Sequence, residues 1–457
     1  MNDLPSTPVR ASININLNKQ YYNWFMRVLL ISENRCKENL IPYPLGIAFV
    51  ATAVRDAGHE VSCLDLMFSE EPLLELANRI DDFKPECIGL SIRNIDNQDM
   101  YQNTFYMPQV KEISDAIKSR ADAPIILGGA GFSIFPRECF DYLGLEMGVV
   151  GEGEKGFVQL LSRLVAGSVN NNLPGLALKT GEHVFINQPD LLPDLSRLAP
   201  PDRELFDIRP YNWIRGEGPP SMPNLQSRRG CHLKCIYCSS RSIEGRQVRL
   251  RDAGCVAAEL ESLQREYGCT NVVFADSLFS YPPDYTHRLC SEIASRGLSI
   301  KWHCNLNPLY SEPQLLDALR NSGCASLSIG NESGSDDILA SLKKGFSKQD
   351  VIRSISEAKR LGFYINCFLL LGGPGENEHT VKESIELLDR LEVDAVRVSV
   401  GVRIFPGCEM HDIAIREGFI SADQNLLYPA FYLSRETEPW LHEYIREVCD
   451  ARLSWSL

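Results

Sequence analysis

Apolar residues in the first ~165 positions come in short runs, separated by stretches in which they recur every three or four residues. That alternation of strands with amphipathic helices builds a parallel sheet. The runs predict strands from Val28 to Ser32, Glu60 to Leu66, Cys87 to Ile92, Pro124 to Leu127 and Met147 to Val150. Their β-branched and leucine-rich character suits strands covered on both faces. Between them Leu73, Leu76, Ala77 and Ile80 share one helical face, as do Phe157, Leu160, Leu161 and Leu164. Residues 27–165 are therefore expected to form a five-stranded doubly wound domain, with ligands beyond the carboxyl ends of its strands.

Over 166–222 the period breaks. Leu176 to Leu178 and Val184 to Ile186 flank Thr180-Gly181 as a β-hairpin, and prolines punctuate the next stretch, from Pro189 to Pro220. An ordered linker is expected there. Alternation resumes with strands from Asn224 to Ser227, Asn271 to Ala275, Ile300 to His303, Ser326 to Ile329, Tyr364 to Leu371 and Ala395 to Val402. Helices fall between them. Six such units predict a partial (β/α)6 barrel over 223–410, whose chemistry sits at the C-terminal strand ends. Residues 1–26 read as a flexible polar extension, and 411–457 as an aromatic-rich tail without its own sheet.

Composition narrows the function classes. Apolar residues make up 44% and charged residues 23% of the 457, which excludes a largely disordered chain. Lysine plus arginine number 46 against 60 aspartate plus glutamate, a net charge of −14 that disfavours nucleic acid and anionic membranes as partners. No apolar run approaches the ~20 residues of a membrane span. The polar N-terminus lacks a secretory pattern, so the cytoplasm is expected. Of fifteen cysteines, twelve are scattered singly, as small buried hydrophobes usually are. The odd total argues against a full disulfide framework. Three sit together.

Those three are Cys231, Cys235 and Cys238, in a C-x3-C-x2-C spacing just after the first predicted barrel strand. Soft thiolates select zinc or iron–sulfur clusters. A structural zinc wants a fourth ligand, and neither Cys255, in a helical pattern, nor His232, abutting Cys231, is well placed. A fully capped electron-transfer cluster lacks a fourth cysteine for the same reason. Three thiolates leave one iron of a four-iron cluster open.

With Tyr237 as the aromatic before the third cysteine, the segment resembles the C-x3-C-x-aromatic-C motif of the radical S-adenosylmethionine (radical SAM) superfamily. The resemblance implies a [4Fe-4S] cluster on Cys231, Cys235 and Cys238, with S-adenosylmethionine chelated to the open iron and cleaved after one-electron reduction. Phe274-Ala-Asp276 resembles the second-strand segment that receives the methionine ammonium. Asn305 and Asn307 stand where relatives often end the third strand in arginine. Gly330-Asn-Glu332-Ser-Gly resembles the fourth-strand segment facing the ribose or amino group, and Leu371-Gly372-Gly373-Pro-Gly-Glu376 the fifth-strand glycine motif near adenine.

The N-terminal domain is open to more than one ligand. Gly151-Glu-Gly153-Glu-Lys-Gly156 spells a dinucleotide fingerprint, but it follows the fifth strand rather than the first, and its acids would repel a pyrophosphate. The segments Ser91-Ile-Arg93-Asn94, Gly128-Gly129-Ala-Gly131-Phe132 and Gly151-Glu152-Gly153 instead resemble the cobalamin-binding domain of cobalamin-dependent radical SAM enzymes. The resemblance implies that the glycines cradle the corrin and that Arg93 and Asn94 face the lower side of cobalt. No D-x-H-x-x-G is present to supply a histidine ligand. The combination implies methylation of an unactivated carbon, or of phosphorus, in a small metabolite or peptide, fed by an external low-potential donor of flavodoxin or ferredoxin type. Cyclisation, rearrangement or aminocarboxypropyl transfer is the alternative with the same cofactors. A non-catalytic cofactor sensor is the reading from another class.

Overall fold

The computed structural model describes residues 25–37, 40–212 and 221–457. The expected N-terminal extension lies outside the described residues up to position 24, as do Pro219 and Pro220.

The first half is built on β1 (Arg27–Ser32), β2 (Glu60–Asp65), β3 (Cys87–Ser91), β4 (Ile125–Gly128) and β5 (Met147–Val149). They are parallel in the order β2-β1-β3-β4-β5. That order reverses direction between β1 and β3, the switch point where open α/β sheets bind ligands. The helix Gly153–Val165 buries Phe157, Leu160, Leu161 and Leu164, as its spacing predicts. The helix Pro72–Phe83 buries Leu76 and Ile80 but leaves Leu73 exposed. The hairpin expected within a linker, β6 (Leu176–Thr180) and β7 (His183–Ile186), adds antiparallel to β5 and extends the sheet to seven strands.

The second half is a parallel sheet of β8 (Asn224–Leu225), β9 (Asn271–Phe274), β10 (Lys301–Leu306), β11 (Cys324–Glu332), β12 (Tyr364–Leu371) and β13 (Ala395–Val400). A seventh strand, β14 (Trp455–Ser456), pairs parallel with β13, so the tail completes the barrel sheet. Along β10, Trp302, Cys304 and Leu306 are buried and pack with the apolar core, while His303 and Asn305 point to the other face. β12 and β13 alternate in the same way, which is the period-two signature of a strand with one face against helices.

The two halves share one apolar core, which runs from Val28 and Phe49 to Leu225, Phe274 and Trp302. The segment between them is pinned by charge. Buried Arg203 donates to Glu259 at 2.6 Å, and Arg251 donates to the same carboxylate at 2.8 Å. On the other side of the interface buried Arg403 donates to Asp96 at 3.0 Å.

Candidate functional site

The cysteine loop leaves the barrel between two short strands and is held from below. The amide of Ile236 donates to the Leu342 carbonyl at 3.2 Å, and the Ile236 carbonyl accepts from Met410 at 2.9 Å. Cys231 is buried and Cys235 and Cys238 are half-buried, all three as free thiols. Burial pushes the Cys231 thiol up to about 11, because a thiolate there has lost its water. Among the described residues no three His, Cys, Asp or Glu side chains converge on a single ion. Mononuclear zinc requires such convergence, at about 2.3 Å from each sulfur. Three spaced thiols suit the corners of a larger cluster.

Packed against this loop is a compact polar group. Tyr237 donates its hydroxyl to Glu332 at 3.0 Å, and buried Lys344 donates to Tyr237 at 3.0 Å and to Glu332 at 3.1 Å. Glu332 ends β11 with φ +61°, a left-handed conformation that costs a non-glycine residue on the order of 1 kcal/mol or more. Burial, and then the facing Glu332 carboxylate, hold the Tyr237 phenol well above its ordinary range, so it remains a donor. Asn305 lies exposed on the face opposite the helices and is free to meet a ligand; its side chain makes only a long 3.4 Å bond to the Asp276 carbonyl.

Four residues expected at S-adenosylmethionine are occupied elsewhere. Asp276 is fully buried and accepts from the Ser227 amide at 2.8 Å, the Ser227 hydroxyl at 2.5 Å and the Arg228 amide at 3.2 Å. It is also the counter-ion of fully buried Arg228, 3.5 Å away. It ties the end of β8 to the end of β9 from a fully buried position. Replacing Asp276 with alanine is expected to cost about 3–5 kcal/mol by stranding that arginine, measured by chemical denaturation. Asn307 caps a short turn by accepting from the Leu309 amide at 2.9 Å. Gly372 is covered by the tail, since a Cβ there would lie 2.3 Å from Leu433, and its amide donates to Glu376 at 2.5 Å. Gly373 donates to the same carboxylate at 3.1 Å.

A second site opens at the β1/β3 switch point, in a cavity of about 310 Å³ roofed by the barrel. Ser91, Arg93, Gly128, Gly129, Gly151, Glu152 and Gly153 line it, together with Gln226, Arg229 and Glu244 from the barrel. Gly46 lines it too, and a Cβ there would meet no other part of the chain within 4 Å, so a flat ligand can lie against backbone. Gly129 has φ +95°, and a Cβ would come within 2.4 Å of the Ile92 carbonyl, so the turn itself demands glycine. Asn94, Gly131 and Phe132 do not line the cavity. Phe132 is fully buried beneath Gly148, whose Cβ would sit 2.3 Å from its ring. Gly131 donates its amide to Ile92 at 3.0 Å, and Asn94 accepts from Arg93 at 3.3 Å.

Glu152 lines the cavity, and its carboxylate also holds the barrel. It accepts from Arg249 at 2.9 Å and from the Leu192 amide at 2.8 Å, and it pairs with Arg229 at 3.4 Å. Its neighbour Glu154 accepts from Arg229 at 2.6 Å. Burial alone would raise Glu152, yet these donors outweigh it and hold the group below the usual carboxylate value. The acidic loop after β5 is thus clasped to Arg229, two residues before Cys231. The partners Arg229, Arg249 and Lys344 carry no spacing signal, since long-range folding alone brings them together.

Comparison with known proteins agrees with this arrangement. Residues 39–161 match the B12 binding domain, and residues 225–388 match the radical SAM superfamily. An uncharacterised methyltransferase from Pyrococcus horikoshii is 26% identical over 82% of this chain and 79% of its own length. The tryptophan 2-C-methyltransferase of Streptomyces laurentii is 25% identical over 83% of this chain and 73% of its own. The fold superposes on the radical SAM methyltransferase TsrM from Kitasatospora setae, solved with tryptophan substrate and an S-adenosylmethionine analogue, with TM-score 0.79 and 23% identity. That match covers 92% of this chain and 88% of the other. With a B12 binding domain clasped to a radical SAM barrel through the residues that precede its cysteine triplet, the chain belongs to the cobalamin-dependent radical SAM enzymes.

Proposed function

We propose that this enzyme transfers the methyl group of S-adenosylmethionine to an unactivated carbon, or to phosphorus, of a small molecule or peptide. The observation that carries the proposal is the clasp: the loop that lines the switch-point cavity also grips the arginine leading into the cysteine loop. When bound, the cluster with S-adenosylmethionine supplies a hydrogen-abstracting radical, and the corrin supplies a methyl carrier. In this reading Cys231, Cys235 and Cys238 hold the iron–sulfur cluster. Glu332 and Tyr237 present acceptor and donor oxygens beside it, and Asn305 offers its amide from the barrel face. Ser91, Gly128, Gly129, Gly151 and Gly153 would bring backbone against a corrin, and Arg93, lining the same cavity from the end of β3, would hold it from the side of the cobalt.

The residues around the cysteine loop also favour a dry, enclosed site. Ile236 and Phe405 are buried near it, and Tyr237 packs against the same apolar cluster. Excluding water protects reactive species and strengthens every polar contact inside. Electrons would come from an external low-potential donor of flavodoxin or ferredoxin type, and the proposed compartment is the cytoplasm. No helix among the described residues is long and apolar enough to cross a membrane. The test is a turnover assay with S-adenosylmethionine labelled in its methyl group, over a panel of amino acids, peptides and phosphonates. Label in a product, with S-adenosylhomocysteine released, is expected. Label retained wholly in methylthioadenosine would point to aminocarboxypropyl transfer and overturn the proposal.

A further inference from the structure

The buried ammonium of Lys344 belongs to neither the cysteine motif nor the strand-end motifs. Lys344 follows Lys343, a turn residue with φ +55°, just after the helix Asp336–Ser341. That turn is tied to the cysteine loop through the Ile236 amide on the Leu342 carbonyl. The side chain is 6% exposed, and its two hydrogen bonds go to Tyr237, which lies between Cys235 and Cys238 in the chain, and to Glu332. Its neighbour Lys343 turns outward instead, to an exposed pair with Glu409. One of two adjacent lysines is therefore sealed beneath the cysteine loop while the other stays in solvent.

Burying a cation is expensive unless something nearby holds it charged. Burial favours the neutral amine, but the Glu332 carboxylate, 3.1 Å away, holds the Lys344 ammonium above its ordinary range. The ammonium also lies 5.6 Å from the centroid of the Tyr237 ring, the residue next to Cys238 in the loop. Lys344 is thus a positive charge aimed at the loop from inside the protein.

Resting on the reading of the three cysteines as cluster ligands, we propose that Lys344 is a positioning residue that sets the ease of cluster reduction, with Glu332 as the counter-ion that partly masks it. Net charge and nearby hydrogen bonds set iron–sulfur potentials. The step is a one-electron reduction: a low-potential donor loses one electron, the cluster core falls from 2+ to 1+, and no proton moves. A fixed cation in a low-dielectric site favours the product of that step. Because the same Glu332 oxygen accepts from both Lys344 and Tyr237, any ligand that draws Glu332 away leaves the ammonium less neutralised. Reduction then becomes easier when the site is filled, which ties electron entry to substrate occupancy.

The test is a redox titration of anaerobically reconstituted protein without S-adenosylmethionine, followed by electron paramagnetic resonance, in wild type, K344M, K344R and E332Q. K344M is expected to lower the reduced-to-oxidised ratio at fixed potential about tenfold, equivalent to about 59 mV for a one-electron couple. K344R should stay near wild type. E332Q should move the midpoint the opposite way, to a less negative value. A purely structural role predicts that K344M and E332Q, which loosen the same Tyr237 anchor, shift together or not at all, and that result would overturn the proposal. If K344M takes up no iron, the sign of E332Q against K344R decides. Iron analysis accompanies each titration: iron-free wild type would overturn the cluster reading itself, whereas loaded variants with an unmoved midpoint overturn only the role of Lys344.

Discussion

Replacing Cys235 with alanine is expected to abolish reductive cleavage of S-adenosylmethionine and to strip iron from the protein, while the fold survives. Cys235 is a free, half-buried thiol whose loop is held by backbone bonds from Ile236 to Leu342 and Met410. None of those bonds uses the sulfur. Loss of an outer partner of a metal site costs roughly 10–100-fold, and loss of one of three ligands should exceed that range. The same substitution at Cys87, fully buried in β3, provides the contrast. It should leave iron content unchanged and cost only packing. Iron and sulfide analysis with a cleavage assay on both variants checks the expectation, and equal iron in C235A and wild type would refute it.

The second large effect falls on the clasp. Arg229→Met is expected to destabilise the protein by about 3–5 kcal/mol, because it leaves a buried carboxylate without its counter-ion. Glu154 and Arg229 are each about 7% exposed and 2.6 Å apart, and Arg229 also lies 5.2 Å from the Phe49 ring centroid. Glu152 keeps Arg249, so most of the penalty falls on Glu154. E154Q in the same chain should recover part of the loss, since paired groups are not additive. Urea denaturation of the two single variants and the double variant measures this coupling.

The clasp also has a pH dependence. The folded-state value of Glu152 lies below its ordinary 4.5, so its contribution is fully present above that value. It is lost as pH falls through the folded value. Interface stability should therefore decline below about pH 4.5, and somewhat less steeply in R229M, where Arg249 keeps the larger part of the pull on Glu152.

Much of the fold is legible in the sequence because its signals are local. The fully buried parallel strand Val28 to Ser32 is a nearly continuous apolar run, Tyr364 to Leu371 alternates with period two, and the helix Gly153–Val165 shows its buried face in spacing alone. Strands of two residues carry no period, so the pattern overextends the short first barrel strand to Ser227, which in fact turns to bind Asp276. β14 leaves no trace in the pattern for the same reason. The hairpin is visible, but its pairing to β5 is a long-range choice that no turn residue records.

The site divides in the same way. Three cysteines on one loop announce themselves by spacing. The acids and glycines announce only that a strand end is unusual, not what they face. Glu152 is expected to touch a cofactor, and it lines the cavity while also holding Arg249 and Arg229; Asp276 is expected to touch an ammonium and holds Arg228. Gly372 is expected to admit adenine and is roofed by Leu433 of the tail. In each case the residue's environment is fixed by a partner far away in sequence. Lys344 is the converse, a residue with no motif whose importance comes wholly from where the turn after Leu342 is docked.

The clasp would hold a corrin and an open-cornered cluster side by side, and electron paramagnetic resonance of the fully loaded protein tests that directly. With cob(II)alamin and the reduced cluster both present, the two signals should broaden and relax faster together than either does alone. Two undisturbed signals, or protein that takes up only one of the two groups, would contradict it.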